Sequence, residues 1–240
     1  MADISDQCPV ATHPRYTLVL VRHGESEYNR ENRVTGWADA DLTDRGAEQA
    51  RCVGQILKKN GLMFDLAFTS FLKRAIKTLY WIQDELDLHW IPVHKHWRVN
   101  ERHQGAYEGN EMNSTNKHKK EAWTFEYCPP ELEESDDRWR RLVDDPKYKM
   151  LSPSVLPKAE SSKMALERFL HYWHSNIVPE IKAGKKVIIV AHSNTMKNFH
   201  KFLRKLKEQD VSDLRKIEQG KPLLYELDHN FDTIGWRYLE

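Results

Sequence analysis

The chain has 240 residues, 40% of them hydrophobic, with 37 basic and 36 acidic side chains and a formal net charge of +1. That balance leaves no global field for nucleic acid or an anionic membrane surface, so any basic site must be local. Three scattered cysteines, Cys8, Cys52 and Cys128, argue against a disulfide framework and fit a reducing, cytoplasmic setting, and no apolar run reaches the roughly 20 residues of a membrane span.

Residues 1–15 lack the apolar segment of a signal peptide and the arginine-rich pattern of a transit peptide. They read as a short disordered extension, followed by one domain over 16–240. Tyr16 to Val21 is continuously apolar, as a strand buried on both faces would be. A helix then starts at Thr43 or Asp44, turns Ala47, Ala50, Val53, Ile56 and Leu57 inward, and stops before Gly61. Phe64 to Ser70 reads as a second strand and 71–86 as a second amphipathic helix. Trp90 to Glu101 holds an edge-tolerated proline and then a strand. Residues 111–157 are polar and proline-punctuated, and read as a lid-like insertion. Glu160 to Lys182 carries one long helix, Lys185 to His192 another buried strand with a helix directly after it, and Pro222 to Leu227 the last strand. This alternation predicts an α/β fold, a three-layer sandwich with a mainly parallel central sheet and helices on both faces.

In open α/β sheets, ligands bind beyond the carboxyl ends of the strands. That rim receives Arg22 and His23 after the first strand, Arg74 near the start of the second helix, Glu101 at the end of its predicted strand, and His192. An imidazole nitrogen can take up a phosphoryl group. Guanidinium forks suit its non-bridging oxygens, a second histidine can steady transition-state charge, and a carboxyl can give a proton to the leaving oxygen. Gly24 is expected to let backbone approach a ligand closely. His94 and His96 share one side of their strand, but no third ligand stands near them, and no metal site is expected.

The segment VRHGESEYNRENRVTGWADADLTDRG resembles the signature of cofactor-dependent phosphoglycerate mutases, within the histidine phosphatase superfamily. FTSFLKRAIKTL, WRVNERHQGAYEG, IVPEIKAGKKVIIVAHSN and GKPLLYELD extend the resemblance over about Tyr16 to Leu239. RHGE marks the superfamily alone; TGW, NERH and the second histidine at these spacings point to the mutase branch.

The resemblance implies that His23 is the phosphohistidine nucleophile, that Arg22, Arg74 and His192 complete the phosphate pocket, and that Glu101 is the proton donor and acceptor. Asn29, Thr35, Gly36, Ser193 and Asn194 match positions that contact phosphate or substrate. It further implies 2,3-bisphosphoglycerate as the priming donor, a small phosphorylated substrate such as 2- or 3-phosphoglycerate, no metal, and a homodimer or homotetramer.

The departures cluster where the family holds the rest of the substrate. Gln104 stands for a tyrosine, Met112 for a lysine, Thr124 and Phe125 for paired arginines, Ser193 and Ala159 for glycines, and the family's tail over the site has little counterpart after Leu239. Arg138, Arg140 and Arg141 in the insertion are candidates to replace the lost cations. Mutase-like phosphoryl transfer is therefore the leading expectation. The alternatives are a histidine phosphatase for another phosphoester and a weakly active relative serving as an interaction module.

Overall fold

The computed structural model describes residues 15–112, 125–206 and 217–240. The proposed N-terminal extension, apart from Arg15, and Thr124 lie outside the described residues. Six strands form one sheet: β1 Tyr16–Arg22, β2 Leu66–Thr69, β3 Val93–Lys95, β4 Val187–Ala191, β5 Leu223–Leu227 and β6 Thr233–Tyr238. Their spatial order is β3-β2-β4-β1-β5-β6. β3, β2, β4 and β1 run parallel, whereas β5 is antiparallel to β1 and to β6.

The side-chain alternation of the strands divides the core in two. Leu18, Leu20, Phe68, Ile189 and Tyr225 face one way, against helices α5 (Ser162–Tyr172), α6 (Val178–Lys182) and α7 (Ser193–Leu203). Val19, Val21, Ala67, Ile188 and Val190 face the other way, against α2 (Asp44–Lys59) and α3 (Lys73–Leu86). Among the described residues, the two remaining α-helices are α1 (Glu27–Arg30) and α4 (Asp137–Asp144). None of the described helices is long and apolar enough to cross a membrane.

Local chemistry explains the element ends. The Thr43 hydroxyl accepts the Gly46 N–H and starts α2, which stops before Gly61 at a φ of +66°. Within α2, Gly46 and Gly54 share the buried face with Ala50, Val53 and Leu57.

Three expectations need correction. β3 ends at Lys95, and Trp97–Val99 form a 3₁₀ turn capped by His96, so Glu101 sits in a loop rather than at a strand end. The long helix is interrupted at Trp173–Ile177 by a π turn, since Pro179 has no N–H to give the carbonyl four residues back. Thr233–Tyr238 adds an edge strand beyond the one taken to be last. Gly24 is also required by packing: a Cβ there would lie 2.2 Å from the Gly46 carbonyl oxygen of α2.

The described part of the insertion builds a small third core. Trp139 of α4, Leu132, Tyr148 and Leu156 pack with Trp37 and Trp97. Tyr148 stacks on Trp37 and accepts an N–H bond from Asn100 at 2.9 Å, and Lys147 pairs with Asp39 at 2.6 Å. This half of the insertion is fastened to the loop that carries Glu101.

Candidate active site

β1 and β4 end side by side, Arg22 paired with Ala191, so the residues that follow them, His23 and His192, become neighbours. Their rings lie 5.2 Å apart. The His23 N–H donates to the Ala191 carbonyl at 3.0 Å, which fixes the turn out of the strand.

His23 is 4% exposed. Its Nδ1 lies 2.7 Å from the Gly24 carbonyl oxygen, which can only accept, so Nδ1 carries the proton. Nε2 is then left with its lone pair. Burial, reinforced by the charges of Arg74 and Arg22, holds the His23 pKa well below its ordinary value, so the ring is neutral at pH 7. The loop is braced by Thr78, which accepts the Gly24 N–H at 3.0 Å and donates to the Arg74 carbonyl at 2.7 Å.

Arg74 is 1% exposed and reaches Nε2 of His23 through its Nε at 3.3 Å. Its two Nη atoms donate to the carbonyls of Ala38 (2.9 Å) and Gly36 (2.8 Å). Burial pulls its pKa down to about 10, which still leaves it charged at neutral pH. Arg22 donates to the Ile217 carbonyl at 3.0 Å, and its buried Nε has no partner among the described residues.

His192 is fully buried. Its Nε2 lies 2.8 Å from Ser70 Oγ, and its Nδ1 has no partner among the described residues. Burial first, then Arg74, His23, Arg168 and Arg22, push its pKa well below the ordinary value.

Glu101 caps the start of α7. Its Oε2 accepts the Asn194 N–H at 3.2 Å, and its Oε1 accepts the N–H groups of Arg102 (2.8 Å) and Thr195 (3.3 Å). A carboxylate suits a helix N-terminus. Its charge also acts on Arg22 and Arg74. The loop beneath it is tied by Arg168, which pairs with Glu160 at 2.6 Å and donates to the carbonyls of Trp97, Arg98, Asn100 and Glu101.

The strand tips thus bring together His23, His192, Arg22, Arg74 and Glu101. Gly36 joins through its carbonyl, and Asn194 through its N–H on Glu101; Ser193 opens the same helix turn. Asn29 is occupied locally, closing a capping box with Ser26 and accepting from Gln219 at 3.2 Å. The Thr35 carbonyl closes a turn by accepting the Ala38 N–H. Among the described residues, no group of three or more His, Cys, Asp or Glu is placed to hold a metal ion. His94 and His96 stack on Phe68 and Tyr172.

Two of the three insertion arginines are engaged by other partners. Arg138 is held by Asp136 at 2.6 Å and by the carbonyls of Ala106 and Glu108. Arg140 is engaged by Asp137 and Ser135. Gln104 accepts from Arg102 at 3.1 Å, and the Phe125 ring lies under Lys201, whose Nζ is 4.1 Å from its centroid.

Sequence reasoning passed over Ser70, Thr78, Thr195, Arg168 and Glu108. Ser70 follows a strand tip, the rule that singled out His23 and His192, and Thr78 stands one helical turn after Arg74. The partners of Arg168 are 67 to 71 residues away along the chain apart from Glu160 and leave no local pattern.

Glu108 is a buried carboxyl whose Oε1 accepts the N–H groups of Trp37 (2.7 Å) and Gln104 (3.0 Å). It joins the turn that holds Arg74 to the loop after Glu101, and its Oε1 would lie 2.0 Å from a Cβ at Gly36. Burial raises its pKa from 4.5 to about 7, against the opposing pull of those two N–H groups, Arg74 and Arg138. The folded state therefore holds a proton that the unfolded chain releases between those values. Stability from this group is full below about pH 4.5 and lost as pH rises through 7, by about 3 kcal/mol. Glu108→Gln keeps the acceptor and is expected to flatten this dependence, leaving the variant more stable than the parent at pH 8. Urea midpoints at pH 5.5 and pH 8 measure it.

Comparison with known proteins agrees with this geometry. By structure the chain is similar to a mycobacterial glucosyl-3-phosphoglycerate phosphatase in complex with VO3, at 21% identity, covering 93% of this chain and 97% of that one, with a TM-score of 0.67. It is also similar to the α-ribazole phosphatase of Shigella flexneri (20% identity, 93% and 95% covered, TM-score 0.65) and to Bacillus stearothermophilus YhfR (22%, 89% and 92%, 0.64). Residues 18–238 match the family described as the histidine phosphatase superfamily, branch 1. The chain belongs to that superfamily.

Proposed function

We propose that this protein is a phosphohistidine-forming phosphatase for a small phosphomonoester. The observation that carries the reading is His23: its Nδ1 proton is committed to the Gly24 carbonyl, so Nε2 faces the site as a neutral nucleophile beside Arg74.

Nε2 of His23 attacks phosphorus, a P–N bond forms and the ester P–O bond breaks. Arg74 and Arg22 hold non-bridging oxygens as fixed charges, and the unpartnered Nδ1 of His192 meets another. Glu101 in its protonated form gives its proton to the leaving oxygen. Water then attacks the phosphohistidine, Glu101 takes the proton back, and inorganic phosphate leaves with His23 restored. No step needs a metal.

Hydrolysis is favoured over isomerisation because a mutase must retain a doubly phosphorylated intermediate. The positions where the mutase pattern supplies substrate contacts beyond the phosphate hold a glutamine, a methionine and a phenylalanine here, and Arg138 is spent on Asp136. The mutase reading, with 2,3-bisphosphoglycerate as priming donor, rests on the retained TGW and NERH segments.

Purified protein given 2,3-bisphosphoglycerate and 3-phosphoglycerate, and separately a panel of phosphomonoesters, separates the two. Release of free phosphate without 2-phosphoglycerate is the expected result. Isomer accumulating faster than free phosphate would establish the mutase instead.

A further inference from the structure

We propose that Ser70 is a positioning residue that fixes which nitrogen of His192 carries the proton, making His192 a neutral Nδ1–H donor toward the phosphoryl group.

The argument is a count of donors and acceptors. Ser70 is fully buried at the tip of β2. Its Oγ accepts the Leu72 N–H at 3.1 Å and lies 2.8 Å from Nε2 of His192. A hydroxyl has one proton to give. Among the described residues, no acceptor other than Nε2 lies within hydrogen-bond reach of Ser70 Oγ. If Nε2 carried the histidine proton, Oγ would accept twice while its own buried proton had nowhere to go, which is unfavourable for a buried donor. If the hydroxyl donates to Nε2, both atoms are satisfied. The histidine proton then sits on Nδ1, the nitrogen without a partner among the described residues.

The surroundings point the same way. The charged and titratable groups acting on His192 are Arg74 from α3, Arg22 and His23 from the end of β1, and Arg168 from α5. All are cationic or imidazole and oppose a second proton on the ring. A neutral N–H donor adds a directed hydrogen bond in a site where Arg22 and Arg74 already supply the charge.

Ser70 is itself held rigidly. Thr69 donates its hydroxyl to the Val190 carbonyl at 2.8 Å, and the Phe71 N–H donates to Asn100 Oδ1 at 3.0 Å. The serine is therefore locked to the strand that delivers His192 and to the loop that delivers Glu101.

The test is the tautomer, read by long-range ¹H–¹⁵N correlation on full-length ¹⁵N-histidine-labelled protein. His192→Gln identifies the signal. In the parent at neutral pH, His192 is expected to be neutral and protonated at Nδ1. Ser70→Ala is expected to move the proton to Nε2 or let the two forms exchange, while Ser70→Thr retains the hydroxyl and the Nδ1–H form. The parent spectrum alone is decisive if a variant folds poorly: an Nε2–H or doubly protonated His192 overturns the proposal, as does an unchanged tautomer in Ser70→Ala. Kinetics give a second readout that rests on the phosphatase reading. With p-nitrophenyl phosphate, Ser70→Ala is expected to lower kcat about 10- to 100-fold, as loss of an orienting partner does, with KM little changed because the His192 contact tightens in the transition state. A rise in KM alone would contradict it. Failure of the phosphatase reading would silence only the kinetic arm, since the tautomer is measured without turnover.

Discussion

His23→Ala is expected to lower kcat/KM on the order of a millionfold, as loss of a catalytic nucleophile does, and to abolish any phosphoenzyme. Among the described residues of the site, His192 is the other imidazole and is not free to replace it. His192 has Nε2 engaged by Ser70, and its Nδ1 carries the proton if that hydroxyl donates. The side chain at position 23 leaves few structural debts, since its polar contacts are the Gly24 carbonyl and Arg74 Nε. Arg74 keeps its bonds to Gly36 and Ala38. The variant should therefore melt cooperatively within a few degrees of the parent. Steady-state assays with circular dichroism on the same samples check both halves. Residual activity within a hundredfold of the parent would remove His23 from the chemistry.

Arg168→Met is expected to give the largest loss of stability. The Arg168 and Glu160 side chains are 7% and 3% exposed, and their pair stands under the loop that carries Glu101. Removing one partner of such a pair costs about 3–5 kcal/mol, because the other charge is left buried. Among the described residues, Glu160 would keep only the His103 N–H at 2.9 Å and the Arg98 carbonyl would lose its donor, while the carbonyls of Trp97, Asn100 and Glu101 would each keep one other, from the Asn100 N–H, the Thr195 hydroxyl and the Trp37 indole. At about 2–4 °C per kcal/mol for a chain of this size, Tm should fall by about 10 °C. Activity should fall too, since the Glu101 carbonyl loses one of its two donors and keeps only the Trp37 indole among the described residues. Adding Glu160→Gln should return part of the stability, because no uncompensated charge then remains. Differential scanning calorimetry of the three proteins measures this. An unchanged Tm for Arg168→Met would show that the pair holds nothing.

The elements easiest to read in the sequence are those whose burial is set locally. The unbroken apolar runs before Arg22 and His192 lie between two helical layers, so every side chain on them had to be apolar. The Thr43 cap and Gly61 bound α2 for reasons confined to one helical turn. What the sequence concealed depends on partners far along the chain. β6 is an edge strand whose alternation is weakened by Gly235, Arg237 and exposed Trp236, and only pairing with β5 reveals it. β3 stops at Lys95 because His96 turns its ring nitrogen onto the Arg98 N–H and caps the 3₁₀ turn. The π turn follows from Pro179, whose effect on the preceding carbonyls is legible only once the helix is known to continue through it.

The site divides along the same line. His23, Arg22 and His192 were legible because strand ends deliver them, and Arg74 because it stands in the first turn of the helix that follows β2. Glu101 was found by its motif, although the strand thought to carry it ends six residues earlier. Ser70 and Glu108 act through contacts 122 and 71 residues away, with His192 and with Trp37, which no local pattern shows. The basic triplet of α4 looked like a replacement clamp. The nearer acids Asp136 and Asp137 claim Arg138 and Arg140 first.

The central claim is that Nε2 of His23 carries the phosphoryl group between bond-breaking steps. Rapid quench of the parent protein with a phosphomonoester it turns over, followed by peptide mass mapping under alkaline conditions, tests it directly. The account predicts an acid-labile, base-stable phosphoryl group on the peptide containing His23, formed and consumed at rates that support turnover. Turnover with that peptide unmodified, or with the phosphoryl group on another residue, would contradict it.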